Sequence, residues 1–184
     1  MNFFYQEAHT NTIYLHEQRQ FEEYILFHHL LSKKNLVVFR KLSRILIAQI
    51  VKFDPKGDSV LTSVSSRELE KYGWKLSRKN LPAAYLTGYL LAKKAKEKTD
   101  VIVNFGIINP TKGASNYAFL KGALDGGLKI VHSADLFPDD ARIKGAHIEK
   151  LAASGHDKIQ FSKTPDAKSI SKIFEDVKKK IASV

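Results

Sequence analysis

Beyond residue 35 the chain first shows short apolar runs separated by turn residues, and from residue 80 onward apolar positions recur at helical spacing. Leu36–Phe39 is a compact run, LVVF. Ser43–Phe53 continues as ILIAQIVKF, apolar at both alternating sets of positions through its middle, as in a strand covered on two sides. Asp54-Pro55-Lys56-Gly57-Asp58 supplies a fixed φ at proline and a permissive one at glycine, predicting a tight reversal into a third strand over Ser59–Ser65. Asn80 is placed to cap a helix from Leu81 to about Lys98, with Pro82 tolerated in the first turn. Leu81, Ala84, Tyr85, Gly88, Leu91, Ala92 and Ala95 fall at helical spacing there, and the small members permit close approach to a sheet. Val101–Phe105 reads as a buried strand. The loop Gly106–Gly113 leads into a second helix, Ala114–Asp125, closed by Gly126-Gly127. A short strand over Lys129–Val131, a helix over Pro138–Ala153 and an amphipathic helix over Lys168–Lys180 follow, the last with Ile170, Ile173, Phe174 and Val177 on one face.

Three strands, a helix, a strand and a helix predict an α/β fold: a three-layer α/β/α arrangement with a mixed sheet and helices on both faces. The 184 residues, 43% hydrophobic and 27% charged, suit one domain with appendages. The expected division is a core over 32–153, an N-terminal extension over 1–31 and a C-terminal helical extension over 154–184. The N-terminal part contains FEEYILFHHLL, a predicted helix over Phe21–Leu31 whose aromatics and glutamates suit a docked element rather than a basic arm. The absence of cysteine removes disulfides, thiolate metal sites and a cysteine nucleophile. No apolar run approaches the roughly 20 residues of a membrane helix. The opening MNFFYQEAHTNT lacks the basic and apolar regions of a secretory signal, so a cytoplasmic location without membrane partners is expected.

The formal net charge of +11 is spread unevenly. Residues 1–32 hold one cation, Arg19, against Glu7, Glu17, Glu22 and Glu23; residues 33–100 hold 16 Lys and Arg against 6 Asp and Glu. Such a segment favours a polyanionic partner. Arg40, Lys41 and Arg44 lie between apolar runs, and Arg67, Lys71, Lys75, Arg78 and Lys79 surround Tyr72, Gly73 and Trp74. Cations interleaved with aromatics suit RNA, because ammonium and guanidinium groups meet phosphates while a ring can stack on an unpaired base. Trp74 has an equally good reading as a core plug, since most large aromatics are substantially buried.

Catalytic chemistry is poorly represented. A two-metal nuclease on a comparable sheet needs carboxylates projecting from its central strands, yet LVVFR has none and VIVNF offers only Asn104. Asp54 and Asp58 are explained by the hairpin turn. GIINPTKG is not a phosphate-binding Walker loop, because Lys112 precedes Gly113 and no GK[ST] occurs. A milder reading leaves Thr111, Lys112 and the first amides of the next helix able to hold one RNA phosphate. His28, His29, His132, His147 and His156 lack metal-ligand spacing, and no serine sits in a G-x-S-x-G elbow. The expectation is a protein without catalytic residues, metal or cofactor.

Specific strings go further than composition. IAQIVKFDPKGD, KYGW, AAYLTG, TKG, LKGALDGGL and FPDDARIKGAHI occur in one register over about residues 32–150. In these the chain resembles the archaeal and eukaryotic branch of the ribosomal protein family of large-subunit protein number eighteen. The resemblance implies an α/β core of ribonuclease H-like type and binding to 5S rRNA in the central protuberance. It further implies contacts with 23S rRNA and neighbouring large-subunit proteins, and no catalysis. Carried over by position, it implies RNA-facing roles for Arg40, Lys41, Arg44, Arg67, Lys71, Trp74, Lys75, Arg78 and Lys79, with Lys112, Lys121, Arg142 and Lys144 as weaker candidates. Archaeal members resembling this chain carry an Arg/Lys-rich arm where this one has YLHEQRQFEEY, in which Arg19, Glu23 and Tyr24 echo the pattern. That departure leaves open an alternative, a ribosome-associated RNA-binding factor or paralogue that has lost the arm.

Overall fold

The computed structural model describes residues 34–52, 54, 56–95, 100–106, 111–153 and 165–183. The helix expected over Phe21–Leu31 lies outside them, as do His28, His29 and His156. Asn35–Val184 forms a unit of its own, to which every element below belongs.

Five strands form one mixed sheet: β1 (Asn35–Lys41), β2 (Leu46–Lys52), β3 (Ser59–Ser65), β4 (Asp100–Asn104) and β5 (Lys129–Ile130), in the order β3-β2-β1-β4-β5. β1 and β2 pair antiparallel with Phe39 opposite Ala48, and β2 and β3 pair antiparallel with a bulge at Ile50/Val51. β4 runs parallel to β1 and β5 parallel to β4. The Asp54–Asp58 reversal is present: the Gly57 amide donates to the Asp54 carbonyl at 2.8 Å and the Lys56 amide to the Asp54 side chain at 3.0 Å.

Two crossover helices follow the hairpin strands, α1 (Leu81–Lys94) and α2 (Ser115–Asp125). Asn80 caps α1 as expected, its side chain accepting from the Ala83 amide at 3.0 Å. Successive right-handed crossovers moving the same way across a sheet place their helices on the same face. Both α1 and α2 accordingly join the cluster formed by Val37, Phe39, Ala48, Ile50, Val64 and Val101, with Phe119 of α2 stacked on Phe39 at a centroid distance of 4.2 Å. Among the described residues the two crossover helices share one face of the sheet, and the alternate positions Leu36, Val38, Ile47 and Ile102 are half-buried.

α1 is buried at every residue from Pro82 to Ala92, because it lies between the sheet and further helices. Its small residues admit α2 to backbone contact. A Cβ added at Gly88 would stand 2.1 Å from the Phe119 carbonyl oxygen, and one at Gly122 would stand 2.0 Å from that of Tyr85. The single helix expected over Pro138–Ala153 is instead two, α3 (Asp140–Ile143) and α4 (Ala146–Ala153). Gly145 interrupts it at φ +89, where a Cβ would come within 3.1 Å of Ile170 and 3.2 Å of Pro82. The terminal helix α5 (Ile170–Ala182) buries Ile170, Phe174, Val177 and Ile181 in the same cluster as the sheet, each worth about 1.5–3 kcal/mol relative to exposure. It packs on α1 through Phe174 and Tyr85, rings 5.3 Å apart. A polar contact fixes its register: Tyr85 Oη donates to Asp125 at 2.5 Å and accepts from Lys178 Nζ at 2.7 Å. Burial, followed by the Asp125 carboxylate, pushes the Tyr85 phenol well above its ordinary value, so the hydroxyl stays protonated.

Candidate nucleic-acid interface

Because β3, β1 and β4 run the same way, their C-terminal ends meet at one end of the sheet, where open α/β sheets form their ligand crevices. Arg40, Lys41, Arg44 and Lys79 gather around that end. Arg40 and Lys41 close β1 and point to opposite faces of the strand. Arg40 Nη1 donates to the carbonyls of Asn104 in β4 at 3.2 Å and of Phe39 at 3.3 Å, so backbone positions the guanidinium without neutralising it. Lys41 Nζ contacts Ser115 Oγ at 3.3 Å, placing an ammonium at the first turn of α2. Arg44 is exposed in the four-residue turn to β2, which closes with the Leu42 amide donating to the Ile45 carbonyl.

A 3₁₀ helix over Ser66–Tyr72, absent from the sequence expectation, brings the second group to this end. A reciprocal cap starts it: Ser65 Oγ accepts from the Arg67 amide at 3.3 Å and Glu68 accepts from the Ser65 amide at 3.0 Å. Buried Ser66 Oγ accepts from the Leu46 amide at 2.9 Å, tying the turn to the start of β2. Gly73, at φ +101, ends the helix, and Trp74 follows as an anchor. Trp74 corrects one expectation, because its ring is 0% exposed and its indole nitrogen donates to the Ser77 carbonyl at 3.1 Å. With no open ring face it fixes the loop and does not offer a stacking surface. The loop then returns to the sheet end, where Lys79 Nζ donates to the Ser43 carbonyl at 3.3 Å. Arg67, Lys71 and Lys75 are exposed along this path, and Arg78 forms an ion pair with Glu70.

The weaker candidates divide. Lys112 is exposed in the turn before α2, whose N-cap, Ala114, contributes no side-chain hydrogen bond. Lys121 and Lys144 are engaged within the protein: Lys121 pairs with Asp140 of α3, and Lys144 Nζ with Glu175 of α5 at 2.9 Å. The Lys121 hydrogen bond and charge hold the Asp140 carboxyl below its usual value, and Lys144 does the same for Glu175. Arg142 is exposed on α3; burial first, and then the Arg142 charge, lowers the His147 pKa. These three side chains lie on the helical side and do not join the sheet-end group. Burial works to raise the Glu68 carboxyl, yet the Lys94 ammonium, the Ser65 amide and Lys71 outweigh it and hold it below 4.5. Among the described residues no group of His, Asp and Glu is placed to hold a metal ion.

Sequence reasoning missed Ser66 and Ser115 as supports of the basic end. A Ser-x-x-Glu signature at Ser65–Glu68 announces the turn that carries Ser66 but not its bond to the Leu46 amide, 20 positions away; nothing local announces the Lys41–Ser115 contact, which joins positions 74 apart.

Among the described residues the arrangement offers cations on backbone supports without a carboxylate partner, and no catalytic constellation. Residues 27–101 match the family described as ribosomal large subunit proteins 60S L5, and 50S L18. The chain is 45% identical over 163 residues to the large ribosomal subunit protein uL18 of Korarchaeum cryptofilum, covering 83% of this chain and 84% of that protein. It is 43% identical over 164 residues to the protein of the same name from Thermofilum pendens, again covering 83% and 84%.

Proposed function

The chain belongs to the uL18 family of large-subunit ribosomal proteins, and from that premise we propose that it binds 5S rRNA and helps attach it to 23S rRNA in the central protuberance. It is a structural, non-enzymatic constituent of the large ribosomal subunit, located on the ribosome, with rRNA and ribosomal proteins as its partners. The observation that carries the 5S reading is the gathering of Arg40, Lys41, Arg44 and Lys79 at one end of the sheet, each held by backbone or hydroxyl contacts or left exposed, and none paired with a carboxylate in the contacts described. We assign phosphate contacts to these four and to Arg67, Lys75 and Lys112, within a core spanning 32–153. Fixed cations on a rigid sheet end recognise the shape of a folded RNA more than its base sequence.

Exposed Arg44 provides the test. Each phosphate neutralised contributes about 0.7–0.9 to the slope of log affinity against log salt. Arg44→Ala should lower the slope magnitude for 5S rRNA by that amount; an unchanged slope removes Arg44 from the interface.

A further inference from the structure

We propose that the last turn of α5 is a second phosphate-binding edge, continuous with the sheet-end group, so that Lys179 and Lys180 hold the same RNA that meets the β1–β2 turn. This rests on the rRNA-binding reading above and adds a surface on the terminal helix, outside the sheet-end group.

The terminal helix divides its lysines by use. Lys178 points inward, donating to Tyr85 Oη and lying 4.9 Å from the Tyr85 ring centroid. That contact, with the buried Ile170, Phe174, Val177 and Ile181, fixes the helix on the core before any partner arrives. Lys179 and Lys180 are exposed in the last turn. The Lys180 ammonium lies 3.5 Å from where a Cβ of Gly73 would stand, so it sits against the bare backbone at the end of the 3₁₀ helix.

From that junction the cations run on. Exposed Lys71 and Lys75 flank Gly73 in sequence, and the loop continues to Lys79, whose ammonium reaches Ser43 beside Arg44. The nearby carboxylates are mostly committed: Glu70 to Arg78, Glu68 to Lys94 and Glu175 to Lys144, leaving exposed Asp176 one turn before Lys180. The remaining excess is positive from the end of α5 to the β1–β2 turn.

The chemistry of this track favours a nucleic-acid backbone over a protein. Protein interfaces rely on aromatic and arginine anchors in their centres and are depleted in lysine. Here Trp74 and Leu76 face inward and the exposed positions are mainly lysines. Prior fixation of the helix also reduces the ordering cost of binding.

The experiment measures affinity for 5S rRNA against salt with the full chain carrying K179Q and K180Q together. If each lysine meets one phosphate, the slope magnitude falls by about 1.4–1.8. A charge-matched control carries K150Q and K172Q, on exposed lysines of α4 and of the first turns of α5; Lys172 is about 12 Å along the helix from Lys180 at 1.5 Å per residue. Glutamine keeps a similar helix propensity at all four positions. The proposal holds if the first pair lowers the slope and the control pair does not. Equal effects of the two pairs overturn it, because general charge would then suffice. An unchanged slope in K179Q/K180Q with a reduced one in R44A overturns this inference alone, and unchanged slopes in both overturn it together with the sheet-end reading.

Discussion

Replacing Gly122 by Ala adds one methyl group where two helices touch through their backbones. The new Cβ would lie 2.0 Å from the Tyr85 carbonyl oxygen and 2.8 Å from its carbonyl carbon. Comfortable contact needs about 3.5 Å, so α1 and α2 must separate by roughly 1.5 Å. No side chain can rotate away, because the obstacle is main chain. The same interface holds Gly88 against Phe119 and Gly126 against the Ala92 methyl, so a shift at Gly122 loosens several contacts together. Helix propensity opposes this, favouring Ala over Gly by about 1 kcal/mol. Overpacking typically costs 1–3 kcal/mol, and a rigid obstacle belongs at the upper end, about 3. The expected net loss is therefore about 2 kcal/mol, or about 4–8 °C in Tm for a chain of this size. Thermal unfolding followed by circular dichroism reads it directly. A variant at or above the wild-type midpoint would show that propensity wins and that the helices are not in backbone contact.

Two further substitutions test the site's electrostatics and its buried anchor. Glu68→Gln preserves the reciprocal cap, since Gln can fill the same role, and removes the charge paired with Lys94. Because the folded state holds the Glu68 carboxyl below 4.5, its contribution is present above that pH and lost as pH falls through the lowered value. The variant should be less stable by about 1 kcal/mol or less at neutral pH, and the deficit should shrink as acid protonates the lowered Glu68 carboxyl; a deficit independent of pH would refute the assignment. Trp74→Ala should cost about 3–5 kcal/mol in chemical denaturation, whereas a variant that unfolds at the wild-type midpoint yet loses RNA affinity would put the ring on the binding surface.

The parts of the fold legible in sequence are those governed by local chemistry. Asn80 and Pro82 mark the start of α1, Asp54 and Gly57 mark the hairpin, and apolar periodicity marks α5. The break at Gly145 depends on Ile170 and Pro82 approaching from distant positions, which no local pattern carries. The shared face of α1 and α2 follows from strand order, set by long-range pairing between β1 and β4. Similarly, residue type and clustering point to Arg40, Lys41 and Arg44, but only tertiary contacts distinguish a cation free to meet phosphate from one such as Lys121, which is held by Asp140. Trp74 shows the limit of composition: next to lysines a tryptophan suits both base stacking and a core, and burial decides between them.

The proposed role requires that the chain recognise 5S rRNA as a shape. A competition titration of the purified chain against cognate 5S rRNA and an unrelated folded RNA of equal length, at near-physiological salt, addresses it most directly. The expected result is a preference of about 100-fold or more for 5S rRNA, equivalent to about 2.7 kcal/mol. Equal affinity for the two RNAs would contradict it, leaving a basic surface without 5S specificity.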